Sequence, residues 1–118
     1  MAQHNDFGKE GEILARSYLQ SKGYVIREQN WRKGKLEVDL IAEKDNIIVI
    51  VEVKSRRRSD QEISEIVSEV KEKNLIDAAD AYMSMLDEEL ECRIDLMIIH
   101  TKTGNPEVIH IENAISQT

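Results

Sequence analysis

The run Ile47-Ile48-Val49-Ile50-Val51-Glu52-Val53-Lys54 constrains this chain more than any other segment. Five β-branched residues in succession favour an extended backbone and leave no polar face to meet water. The run is therefore predicted to form a central strand covered on both sides. Its end is anomalous, because an acid and a lysine stand where the pattern still calls for core. Taking a charge out of water is costly unless it is paired or bound to a metal. Glu52 and Lys54 are two apart, so they share one face of the strand.

The segment before it supplies a partner. Residues 36–43 alternate, with Leu36, Val38 and Leu40 on one face and Glu37, Asp39 and Ile41 on the other. Lys44-Asp45-Asn46 is turn chemistry, so the two segments are expected to pair as an antiparallel hairpin. Pairing of this kind gathers Asp39, Glu52 and Lys54, with Glu37 near them, at one end of a sheet. Carboxylates that close together repel one another unless a proton or cation lies between them. A hard divalent ion such as Mg²⁺ suits two carboxylates, waters and phosphate oxygens. Such an ion, with a lysine beside it, has the parts for phosphodiester hydrolysis. The competing reading is a Glu52–Lys54 ion pair with Asp39 solvated. The spacing D-x12-E-x-K alone leaves both open.

The rest of the chain reads as one α/β domain over residues 1–118. A first helix is predicted over 7–22, with Asp6 as N-cap and Gly23 as the stop. A short strand over 24–30 leads into a basic turn, Lys33-Gly34-Lys35. A polar loop over 56–61 precedes one long helix over 62–85. Strands over 93–101 and 107–112 close the chain around a turn holding the only proline, Pro106. The order α-β-β-β-α-β-β suggests a mixed sheet of about five strands flanked by helices.

A single cysteine, Cys92, excludes a disulfide framework and a multi-cysteine zinc site, and a reducing cytoplasmic setting is expected. No segment has the ~20 apolar residues of a membrane span, and no signal peptide is evident at the start. The net charge of −7 at first argues against nucleic acid. It is unevenly spread: residues 1–58 carry 12 basic and 9 acidic side chains, and residues 59–118 carry 4 and 14. A local anion-binding face on an acidic protein is compatible with that split. The loop Arg56-Arg57-Arg58 and the turn lysines Lys33 and Lys35 are phosphate-binding candidates, with ordinary solvated loops as the competing reading.

The short strings Gly8-x-x-Gly11-Glu12-x-x-Ala15, Tyr18-Leu19, Gly23-Tyr24, Asn30-Trp31-Arg32, Glu37-Val38-Asp39-Leu40-Ile41-Ala42 and Val51-Glu52-Val53-Lys54-x-Arg56 together resemble the YraN-like family. The likeness continues through Lys71, Leu75, Ala78-Ala79, Tyr82, Arg93-Ile94-Asp95 and Ile111-Glu112-Asn113-Ala114, so it covers nearly the whole chain. These are small bacterial proteins with a restriction-endonuclease-like fold, related to Holliday-junction resolvases and the PD-(D/E)xK nucleases. The resemblance implies a metal site of Asp39, Glu52 and the Val53 carbonyl, taking Mg²⁺ or Mn²⁺. It implies Lys54 as the catalytic lysine and Glu12 as an assisting acid on the first helix. Glu37 is a secondary candidate, and Lys71 matches a basic position that would contact substrate. Two departures stand out. The stretch 59–64 lacks the family's Phe-Gly and proline, and Leu36 replaces a glycine, which bears on loop shape but removes no ligand.

The expectation is a divalent-metal-dependent DNA endonuclease acting on branched or damaged DNA. The alternatives are a nucleic-acid-binding module without autonomous catalysis and an interaction protein that docks a partner through its acidic second half. Whether the nucleic acid is DNA or RNA, and whether the protein is a homodimer, the sequence leaves open.

Overall fold

The structure, a computed structural model, describes residues 3–56, 63–101 and 105–117, with side chains of the first helix described from Gly8 onward. The strand expected at the centre is there. β3 (Ile47–Arg56) pairs antiparallel with β2 (Leu36–Lys44) on one side and parallel with β4 (Glu91–Thr101) on the other. β1 (Val25–Lys33) and β5 (Pro106–Ile115) form the edges, giving the order β1-β2-β3-β4-β5. Ile48, Val49, Ile50 and Val51 are fully buried, as a two-faced run requires. Each such side chain contributes about 1.5–3 kcal/mol on leaving water.

The helices cover the two faces. α1 (Gln3–Ser21) lays Gly11, Ala15 and Leu19, spaced by four, onto the face that carries Leu40, Val49, Val51, Met97 and Ile99. It begins before Asp6, so that residue lies inside the helix and does not cap it. The stop is as expected. Gly23 has φ of +93°, its amide donates to the Gln20 carbonyl, and the Tyr24 amide donates to the Leu19 carbonyl. That paired closure needs a left-handed residue at the second-last position, which glycine adopts at low cost.

The opposite face is covered by two helices where one was expected: α2 (Ile63–Ser68) and α3 (Glu72–Ser84). Glu62, the expected first residue, lies outside the described residues. At 100° per residue, Ile66 and Val70 would sit roughly 150° around a straight helix from Leu75, Ala78, Ala79 and Tyr82. All six are buried in one core. One straight helix cannot present both stripes to one sheet, so the backbone breaks over Glu69–Lys71.

The alternation expected for residues 36–43 also slips. Leu36 and Val38 pack with the core beneath α2 and α3, whereas Leu40 packs with the core beneath α1. The change of face falls at Asp39. Beyond that residue β2 and β3 part: their pairing runs from Lys44↔Ile47 to Leu40↔Val51 and ends. β2 continues with β1 to Lys33↔Leu36, and β3 continues with β4 to Arg56↔His100. The sheet is forked, and Asp39 and Glu52 sit at the crotch. No described helix is long and apolar enough to cross a membrane.

Candidate functional site

The fork leaves the backbone of β3 without a strand partner on one side, and a side chain fills that place. The Val53 amide donates to Asp39 Oδ2 at 2.8 Å. In an extended strand the N–H and C=O of one residue point the same way, so the Val53 carbonyl is turned toward the same side as Asp39. Glu52 and Lys54 stand on the face shared with Ile48 and Ile50, and Lys54 Nζ lies 3.1 Å from Glu52 Oε2. Both side chains are largely buried.

Asp39 is pushed up to about 7, first by burial and then by the negative charge of Glu52. Glu12 adds to that repulsion, and the hydrogen bond from the Val53 amide opposes it. Glu12 is itself raised, by partial burial and by Glu52. The three acids therefore act on one another across the fork. Glu12 reaches this position because Gly11 lets α1 lie close against β3. A Cβ built on Gly11 would stand 2.0 Å from Ser55 Oγ and 3.3 Å from its Cβ, a space only glycine fits without rearrangement.

Asp39, Glu52 and Lys54 line one cleft of about 320 Å³ with Lys35, Glu37, Glu69, Lys71, Asn74 and Leu75. The turn between β1 and β2 forms one wall, and the α2–α3 joint forms the other. Of the cationic candidates, Lys35 and Lys71 face this cleft. Lys33, at the exposed end of β1, is not among its lining residues. Arg56 lies beside the cleft, donating to the Ser55 carbonyl at 2.8 Å and to the Glu69 carboxylate. Arg57 and Arg58 lie outside the described residues. Glu37 lines the cleft but is exposed, paired with Arg32 at 2.8 Å. Glu69 and Asn74 also line it, and on one unbroken helix over 62–85 they would lie on different faces. Only the helix break brings them here.

Among the described residues no three acidic, histidine or cysteine groups meet at metal-binding distance. What the fork offers is two mutually repelling, partly buried carboxylates beside a backbone carbonyl. That oxygen-only donor set fits Mg²⁺ or Mn²⁺, which commonly use one or two carboxylates and leave the remaining positions to water and phosphate. The lysine beside Glu52 offsets part of the charge.

Other candidates belong to the framework. Trp31 packs edge-on against Tyr82 with ring centroids 5.5 Å apart. Cys92 is half-buried inside β4, where burial pushes its thiol up to about 11. Asp95 is buried at a bulge between β4 and β5. It accepts from Arg93 at 2.8 and 2.9 Å and from the Asn113 amide at 2.9 Å, and lies 2.7 Å from His110 Nε2.

The chain resembles proteins of known sequence along nearly its whole length. The model of the uncharacterised protein family UPF0102 matches residues 11–99. A UPF0102 protein of Bacteroides thetaiotaomicron is 43% identical over 115 residues, covering 97% of this chain and 95% of that protein. One from Thermodesulfovibrio yellowstonii is 45% identical over 113 residues, covering 92% and 95%. The solved structure of Pyrococcus furiosus SfsA in complex with Ca²⁺ aligns at 16% identity and a TM-score of 0.36. It covers 96% of this chain and 65% of that one, so this chain spans less than two thirds of it.

Proposed function

The chain belongs to the uncharacterised protein family UPF0102, the YraN-like family of the sequence reading, and for this member we propose divalent-metal-dependent hydrolysis of phosphodiester bonds in DNA. The observation that carries the proposal is the convergence of Asp39, Glu52 and the Val53 backbone at the forked end of the central strand, with Lys54 beside them in a cleft that also holds Lys35 and Lys71.

Asp39, Glu52 and the Val53 carbonyl are the residues that would hold Mg²⁺ or Mn²⁺. Such an ion supplies Lewis-acid neutralisation of the phosphate and a bound water of lowered pKa. Lys54, fixed by its contact with Glu52, donates toward the phosphate or orients the attacking water. Glu12 adds negative charge at the fork from α1 and accepts a proton from that water. Lys35 and Lys71, on opposite walls, bind backbone phosphates on either side of the scissile one. Phosphate contacts of this kind carry no base information, so the reading favours recognition of DNA shape, as on branched or damaged substrates.

The test is cleavage of labelled four-way junctions, flaps and plain duplexes with Mg²⁺ or Mn²⁺. Cleavage by the wild type, lost in Asp39→Asn and Lys54→Ala, is the expected result. Cleavage undiminished in both variants overturns the assignment.

A further inference from the structure

One acid in the cleft is held by a cation of the central strand itself. Glu69 lines the cleft together with Lys35, Lys54 and Lys71. Its carboxylate accepts from Arg56 Nη2, the guanidinium two residues beyond Lys54 on the same face of β3. Arg56 holds its other arm on the Ser55 carbonyl, so the guanidinium is oriented toward the α2–α3 joint and is only partly exposed. A carboxylate and a phosphate oxygen present the same two-point acceptor to a guanidinium. A cation beside the catalytic lysine is thus already occupied by an anion of the protein's own.

Glu69 sits in the break between α2 and α3, where its amide donates to the Ile66 carbonyl of α2 at 3.1 Å and its side chain turns toward β3. α2 has six residues, and Ile66 and the following Val70 are its buried anchors. The Arg56–Glu69 pair is a polar tie between the joint after that short helix and the central strand. Its exchange for a phosphate would replace one charge-assisted contact on Arg56 by another and release the Glu69 side chain outward.

We infer that Glu69 is a built-in competitor of the DNA backbone: it occupies on Arg56 the position of a substrate phosphate, and DNA binding displaces it. This rests on the phosphodiester reading of the same site and names what holds one of its cations without substrate. The arrangement sets affinity and selectivity together. A substrate must supply enough other phosphate contacts, through Lys35 and Lys71, to displace an acid tethered at high local concentration. Only DNA that fills the whole cleft does so.

The experiment is fluorescence anisotropy of a labelled four-way junction and a labelled duplex in Ca²⁺, across a salt series, with wild type, Glu69→Gln, Arg56→Gln and the double variant. The expected result is about three- to tenfold tighter binding by Glu69→Gln with an unchanged salt slope, because both proteins contact the same phosphates and only the wild type must first break the Arg56–Glu69 pair. The gain should vanish in the Arg56→Gln background. Thermal melting checks that each variant is folded. If Glu69→Gln does not fold, Glu69→Ala, which removes the carboxylate altogether, takes its place with the same expected gain. Wild-type binding with no gain in the Glu69 variant, or a gain that persists without Arg56, overturns this inference and leaves the phosphodiester reading standing. No binding by any of the proteins overturns both.

Discussion

Asp39 does two jobs that conflict in the absence of a cation. Its carboxylate replaces a missing strand partner by accepting from the Val53 amide, and it sits partly buried, close enough to feel the charges of Glu52 and Glu12. Its pKa of about 7 in the folded chain lies above the ordinary 3.8. The folded state therefore binds a proton that the unfolded state has released, and this residue's contribution to stability falls as pH rises from about 4 to 7, then levels. Asp39→Asn keeps an acceptor for the Val53 amide and removes the charge. The variant should melt higher than wild type at pH 8 and within a degree or two of it near pH 4. Scanning calorimetry at the two pH values checks this, and a variant that melts lower at pH 8 contradicts it. The same substitution should lower cleavage by about 10²-fold or more, a trade of activity for stability expected of a site residue. These residues were legible in the sequence because acids and a lysine interrupted a core strand. Glu69 was not, because its sequence neighbours Glu65 and Glu72 make it look like part of a solvated face.

The elements explain that difference. The strands and α1 follow from periodicity and from the Gly23 stop. The break after α2 carries no glycine or proline and is visible only when the two apolar stripes are compared in angle. The slip at Asp39 is hidden for a related reason, since residues 36–43 alternate correctly until the fork turns one side chain around. Two joints between elements can be tested. Gly11→Ala should push α1 away from Ser55, costing about 1–3 kcal/mol as overpacking does. Combination with Ser55→Ala, which removes the nearest clashing atom, should recover part of that loss, and urea unfolding of the four proteins in the cycle checks it. Equal losses in Gly11→Ala and the double variant would contradict the close approach that places Glu12. At the far end of the fold, burial alone would raise Asp95, but the contacts with His110, Arg93 and the Asn113 amide outweigh it and lower the carboxyl. Its contribution is therefore present above the ordinary carboxylate range and is lost as pH falls through its lower folded value. Asp95→Ala removes the carboxylate shared by Arg93, His110 and the Asn113 amide, leaving Arg93 with Tyr24 and Glu112, and should cost about 3–5 kcal/mol in urea at neutral pH. A loss below about 1 kcal/mol would show that the network is dispensable.

Across the whole molecule, the net charge of −7 no longer stands as a simple argument against nucleic acid. Acids of the first half are gathered at the fork, where the proposed cation would offset them. The acidic second half is not remote from the chemistry either, because α2 and the joint after it bring Glu69 to the cleft rim. Binding that relies on Lys35, Lys71 and Arg56 involves about three phosphates, so log affinity should fall with log salt at a slope of roughly −3. A slope near zero would contradict phosphate recognition at the cleft. The central claim is that the fork is a divalent-metal site, and calorimetric titration of Mn²⁺ into the protein bound to a four-way junction tests it most directly. The account predicts saturable binding near one ion per chain in the wild type, lost in Asp39→Asn and in Glu52→Gln, with the junction still bound. Equal Mn²⁺ binding by all three proteins, or none by the wild type on DNA, would contradict it.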